Sequence, residues 1–167
     1  IDQAVGPFPL DEVQPGDLVG IGIHTFNALH GYNLAAKVQE LGATVIIGGP
    51  HVSVFPDEAA KHGDAVVTGD AEVVWGQALR DYAAGQLQPR YNGGRVDPEF
   101  FSPARWDLMT LDRYLVASVQ TVRGCPKSCS FCSVWVQDGR SPRLRTNDAI
   151  ITELKALYSA GFRLIMF

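Results

Sequence analysis

Residues 17–87 repeat one pattern three times: a short apolar run, a Gly-rich or polar loop, then a helical stretch. That order leaves few folds open, because short runs buried on both faces and joined through helices build a parallel sheet. The first run is Asp17 to Ile23, followed by a loop from His24 to His30 and a helix to Leu41. Leu34, Val38 and Leu41 are spaced for one helical face, and Gly42 stands where a helix ends in the left-handed conformation. The second run, Ala43 to Ile47, leads into the turn Gly48-Gly49-Pro50-His51 and a short helix from near Pro56 to Gly63. The third, Asp64 to Val67, leads into Thr68-Gly69-Asp70-Ala71-Glu72 and a helix to about Ala84, with Val74, Ala78 and Tyr82 facing inward. Ligands of such sheets collect at the carboxyl ends of the strands, so 24–27, 48–51 and 69–72 are expected to line one edge.

From Gly85 to Asp112 the periodicity fails, and Pro89, Gly93, Gly94, Pro98 and Pro103 punctuate a polar stretch. We expect a domain over 1–87, a linker over 88–112 and a second unit over 113–167. The second unit opens with a strand from Tyr114 to Val122, then a loop holding every cysteine of the chain and a polar stretch around Arg140 to Arg145. A helix then opens at Asn147 or Asp148, with Ile151, Leu154, Leu157 and Tyr158 on its apolar face. Gly161 ends that helix, and a final strand follows. The chain lacks an initiator Met and ends on the apolar run Leu164 to Phe167, so it is expected to be a fragment incomplete at both ends.

The net charge of −4 supplies no basic stripe to neutralise phosphates, which argues against nucleic-acid binding. No apolar stretch reaches the length of a membrane span and no signal peptide is legible, so a soluble, cytoplasmic protein is expected. Three cysteines within eight residues cannot close a disulfide set, and point to metal ligation in a reducing compartment.

The cysteine loop reads Arg123-Gly-Cys125-Pro-Lys-Ser-Cys129-Ser-Phe-Cys132, a C-x3-C-x2-C spacing directly after a strand. Thiolates this close can converge on one cuboidal iron-sulfur cluster, which normally takes four protein ligands. With three, one iron keeps an open position for a small molecule, a hint of catalysis over electron transfer. A structural zinc site would want a second ligand pair, yet His24, His30, His51 and His62 all lie in the other domain. A buried packing role for the three thiols stands beside these readings, although the intervening Pro, Lys and Ser suit it poorly.

Cys125-x3-Cys129-x-Phe131-Cys132 after a strand resembles the signature of the radical S-adenosylmethionine superfamily. The resemblance implies the opening β-α-β of a (β/α) barrel, a 4Fe-4S cluster on Cys125, Cys129 and Cys132, and S-adenosylmethionine on the fourth iron. Reductive cleavage would then yield methionine and a 5′-deoxyadenosyl radical that abstracts hydrogen from substrate. Phe131 matches the aromatic position that such enzymes place near the adenine, with core packing as its other reading.

The segments Gly48-Gly49-Pro50-His51 and Gly69-Asp70-Ala71-Glu72 resemble those of the Rossmann-like cobalamin-binding domain that precedes many radical S-adenosylmethionine domains. The resemblance departs at Asp70-Ala71, where that family more often has Glu-Gly. It implies cobalamin over the strand ends, near Thr25, Gly48, Gly49, Pro50, His51, Gly69 and Glu72, the glycines admitting a bulky ligand because they lack a Cβ. Thr25 is equally placed to cap the following helix, and His51 reads as a turn or contact residue ahead of an axial ligand. Trp75 and Trp106 read as packing anchors, and Arg140, Arg143 and Arg145 as a solvated basic loop.

Together these features imply a radical enzyme that transfers a methyl group by way of cobalamin to a small-molecule substrate, fed by an electron donor, with the cofactors performing the hard chemistry. One alternative is a radical enzyme whose first domain is a scaffold without cobalamin, catalysing cyclisation, dehydrogenation or adenosyl transfer. Another is a non-catalytic iron-sulfur or zinc-binding module.

Overall fold

The computed structural model describes residues 6–108 and 113–167. Ile1 to Val5 and the last four residues of the expected linker, 109–112, lie outside the described residues. The chain divides into two compact units, residues 9–96 and the described part of 97–167 with residues 6–8.

The first unit is a four-stranded parallel sheet in the order β1-β2-β3-β4. The strands are β1 (Leu18–Gly22), β2 (Thr44–Gly48), β3 (Ala65–Thr68) and β4 (Arg90–Asn92). The helices are α1 (Ala28–Glu40), α2 (Pro50–Val54), α3 (Pro56–Ala59) and α4 (Trp75–Ala83). Register runs Leu18↔Thr44 through Gly22↔Gly48, so β1 and β2 end level. Val45, Ile46, Ile47 and Val66 are buried, as expected of central parallel strands.

Helix α1 turns Tyr32, Leu34, Ala35 and Val38 inward, whereas Leu41, expected on that face, is 40% exposed beyond the helix end. Gly31 is dictated by packing, because a Cβ there would run into the Ile23 side chain. Gly42 has φ +82 and donates its amide to the Gln39 carbonyl, ending the helix as its sequence position implies.

Within this first unit two elements differ from expectation. The turn read at Pro50-His51 is already helical: Gly49 takes φ 102 before α2, with Pro50 in the first turn. Residues 88–96, read as linker, carry β4 and its return. Tyr91 is buried there and donates its hydroxyl to Asp81 Oδ2 at 2.8 Å. A three-residue strand offers too little periodicity to be seen in sequence.

The second unit contains β5 (Ala117–Ser118), β6 (Val122–Arg123), α5 (Val134–Gln137), β7 (Arg143–Leu144), α6 (Asn147–Ser159) and β8 (Ile165–Met166). β5 pairs parallel with β8 across α6, one β-α-β unit. The strand expected over 114–122 is split, because Val122 and Arg123 pair antiparallel with Leu144 and Arg143. Helix α6 is capped by Thr146, whose hydroxyl accepts from the Ala149 amide at 3.3 Å, one residue before the expected cap. Ala117, Val119, Leu157 and Phe162 form its buried core, with Trp106 packed against it.

Candidate functional site

In the first unit the parallel register brings two of the three expected loop segments together. Ile23 continues β1 and donates its amide to the Gly48 carbonyl, and the His51 amide bonds back to the Ile23 carbonyl at 3.2 Å. A Cβ on Gly49 would stand 2.7 Å from that carbonyl oxygen and 2.8 Å from the Ile23 nitrogen, so only glycine fits this close crossing at φ 102. Gly48 is less constrained, its Cβ meeting nothing nearer than 3.6 Å. Pro50 stands in the first turn of α2, and the His51 ring next to it is buried at 5% exposure.

His51 is fully engaged. Its Nδ1 lies 3.1 Å from Thr25 Oγ1 and its Nε2 lies 3.2 Å from Glu58 Oε1, while Tyr32 donates to the same Glu58 oxygen at 3.1 Å. The His51 hydrogen bond, then that of Tyr32, holds the Glu58 carboxyl below its ordinary range. Burial, reinforced by Glu58, pushes the Tyr32 hydroxyl up to about 12. Tyr32 also stacks on His62 with centroids 4.0 Å apart. Both ring nitrogens of His51 are thus held by protein groups, and Thr25 bonds to one of them instead of capping α1.

The third segment reaches this edge through Ser53 of α2, whose hydroxyl donates to the Gly49 carbonyl at 3.4 Å. The Gly69 amide donates to Ser53 Oγ at 3.0 Å, and the Asp70 amide donates to the Gly94 carbonyl at 2.9 Å. The Val96 amide donates to Asp70 Oδ2 at 2.9 Å. Glu72 lies half-buried in a helical turn before α4. Gly69 and Gly93 both stand where a Cβ would collide with backbone, of Gly94 and of Asp70. Sequence reasoning missed Ser53, Glu58 and Gly93-Gly94 as partners of this edge; the Gly-Gly pair after a Tyr-containing run was the available signal.

In the second unit β6 and β7 form the stem of the cysteine loop. Cys125 donates its amide to the Gly139 carbonyl at 3.0 Å, and the Trp135 ring donates to the Cys129 carbonyl at 3.1 Å. Gly124 takes φ 92 with a Cβ position 2.6 Å from the Ser141 carbonyl oxygen, so the loop leaves the stem through a glycine-only step. All three thiols are free; Cys129 is exposed, and Cys125 and Cys132 are half-buried. None serves as core packing, which removes that reading. Among the described residues no three His, Cys, Asp or Glu side chains are drawn together to hold a metal ion. The donor chemistry of three free thiols on one loop nonetheless suits an iron-sulfur cluster. Phe131 is 91% exposed, so its ring packs in no core formed by the described residues.

Arg145 corrects the expectation of a solvated basic loop. It is 7% exposed and pairs with the equally buried Glu153 at 2.6 Å. Trp106 donates to the other Glu153 oxygen at 3.0 Å, and Trp75 covers the position beside Gly20. No described helix is long and apolar enough to cross a membrane.

No family model matches the chain. The chain is 35% identical over 124 residues to bacteriochlorophyllide d C-8(2)-methyltransferase of Chlorobaculum tepidum, covering 70% of this chain and 28% of that protein. It is 27% identical over 162 residues to bacteriochlorophyllide d C-12(1)-methyltransferase of the same organism, covering 93% and 36%. The chain thus spans about a third of these relatives' length. The fold matches the radical S-adenosylmethionine methyltransferase TsrM of Kitasatospora setae, solved with tryptophan substrate and a SAM analogue, at TM-score 0.69 and 18% identity over 92% of this chain and 36% of that one. With cobalamin and a 4Fe-4S cluster bound, the same enzyme matches at TM-score 0.67 and 17% identity, covering 92% and 37%.

Proposed function

We propose that this chain is part of a radical S-adenosylmethionine enzyme carrying a cobalamin-binding domain and that the whole protein transfers a methyl group to a small-molecule substrate, a reading supported by its cysteine loop and its similarity to two methyltransferases. The observation that carries the reading is the cysteine loop, three free thiols on one stem with no fourth cysteine among the 167 residues. A 4Fe-4S cluster on such a loop supplies, when bound, the electron that cleaves S-adenosylmethionine.

The protein's own residues bind and orient. Cys125, Cys129 and Cys132 offer the thiolates, and the exposed Phe131 ring beside Cys132 offers an apolar face to an adenine. In the first unit Gly48 keeps the β2 edge free of a side chain, while Gly49 lets the loop cross close to Ile23. Thr25, Pro50, His51, Gly69 and Glu72 then line the ground on which cobalamin would rest. His51 contributes by orienting the Thr25 hydroxyl. The two matched methyltransferases act on bacteriochlorophyllide d and TsrM was solved with tryptophan, so methyl transfer is the shared feature and the substrate varies. An electron donor and a cytoplasmic location complete the reading, a reducing compartment keeping the three thiols available.

The test is anaerobic reconstitution of the intact protein with iron and sulfide, with and without hydroxocobalamin. About four irons per chain, a spectral change on adding S-adenosylmethionine, and one cobalt per chain are expected. Iron uptake with no spectral change would overturn the S-adenosylmethionine assignment, and absence of bound cobalt would leave the first unit a scaffold.

A further inference from the structure

The buried pair Arg145 and Glu153 takes no part in the chemistry described above. Arg145 follows the second stem strand β7 directly. Its amide donates to the Thr121 carbonyl at 3.0 Å, just before β6 begins, so its backbone closes the foot of the stem. Its Nη1 donates to the Gln120 carbonyl at 2.9 Å and to Glu153 Oε2 at 2.6 Å on α6. Trp106, from the segment before β5, donates to Glu153 Oε1 at 3.0 Å and packs edge-on to Phe162 at 5.9 Å. Four segments therefore meet at one guanidinium-carboxylate pair whose side chains are 5% and 4% exposed.

Stability alone is a weak reason for such a pair, since desolvating two charges offsets most of their attraction and apolar side chains of similar volume often serve as well. The pair is also imperfect: Arg145 Nε is buried without a hydrogen-bond partner. What a charged, directional contact adds over apolar packing is fixed orientation, here of the stem foot against α6. We infer that Arg145, held by Glu153, is a positioning residue that sets the stem from which Cys125, Cys129 and Cys132 project. The consequence for a cluster rests on the cysteine-loop reading above; the clamp on the stem does not.

The experiment compares the intact wild-type protein with Glu153→Gln and with the double variant Arg145→Met/Glu153→Leu, which removes both buried charges. Amide hydrogen exchange at Cys125 and Arg145 is followed in the protein without iron. Iron per chain and the low-temperature EPR spectrum are read after reconstitution. Glu153→Gln is expected to speed exchange at both amides about tenfold and to at least halve the iron retained. The double variant is expected to match or exceed the wild-type thermal midpoint while still exchanging faster and showing an altered EPR spectrum. A double variant with wild-type exchange, iron content and spectrum would overturn the positioning role. Failure of the wild type itself to take up iron would sink the cluster reading, and stem exchange would still decide the clamp.

Discussion

His51 Nδ1 lies 3.1 Å from Thr25 Oγ1, which joins the loop after β1 to helix α2 across 26 residues of sequence. The contact exists because β1 and β2 end level at Gly22 and Gly48 and because Gly49 lets the chain cross close to Ile23. The other ring nitrogen is held by Glu58, so the imidazole orients neighbours on both sides.

Replacing His51 by Ala strands Thr25 and Glu58 and opens a cavity beside Tyr32. The unfolding free energy of the intact protein is expected to fall by about 1–3 kcal/mol, measured by urea denaturation. Cobalamin uptake is expected to fall with it. A Thr25→Val variant leaves His51 Nδ1 without its partner but opens no cavity, so it should cost about 1 kcal/mol, less than His51→Ala, and still weaken uptake, which separates ligand contact from stability.

Gly49→Ala meets both a positive φ and the Ile23 backbone. It is expected to destabilise by about 3 kcal/mol or more, whereas Gly48→Ala, with only ordinary contacts, should cost about 1 kcal/mol or less. Parallel denaturation curves check the ranking, and equal effects would contradict the close crossing.

The Tyr32–Glu58–His51 chain predicts pH dependence of opposite sign from Tyr32 and from Glu58. Tyr32 has a folded pKa raised from 10.0 to about 12, so its contribution is complete below 10 and is lost as pH rises from there towards 12. Glu58 is depressed, so its contribution is present above the ordinary carboxylate range and is lost as pH falls through its folded value. His51 and His62 face the same chain from α2 and from beyond α3. Thermal midpoints across pH should show the alkaline loss weakened by Tyr32→Phe and the acid loss weakened by Glu58→Gln.

Cys129 is exposed and outside the core, so Cys129→Ala should shift stability by less than about 0.5 kcal/mol in the iron-free protein. After reconstitution the same variant is expected to retain almost no iron. Wild-type iron content in this variant would show that the thiol is not a ligand.

Much of the fold was legible because it is written in short-range periods. The apolar runs ending at Ile23, Ile47 and Val67 coincide with β1, β2 and β3, and Gly42 ends α1 as its position implied. The short β4 was hidden because three residues between Pro89 and Gly93 show no period, and its burial comes from pairing with β3. Helix α2 was hidden because Pro50 signals a turn and a helix start equally. Arg145 was misread because charge marks a solvated loop by default, and only the meeting of Gln120, Glu153 and Trp106 around it makes burial tolerable.

By itself the sequence determined the parallel-sheet class, the glycine-bearing strand edge and the three-thiol loop. Those follow from residue spacing over fewer than a dozen positions, a scale at which backbone period and side-chain chemistry act locally. The tertiary structure decided what each candidate does with its polar atoms: that His51 is held by Thr25 and Glu58, and that Asp70 ties back to residues 94 and 96. It likewise decided that Arg145 locks the stem foot to α6. Such pairings depend on strand register and helix crossing between residues far apart in the chain, and no local pattern encodes them.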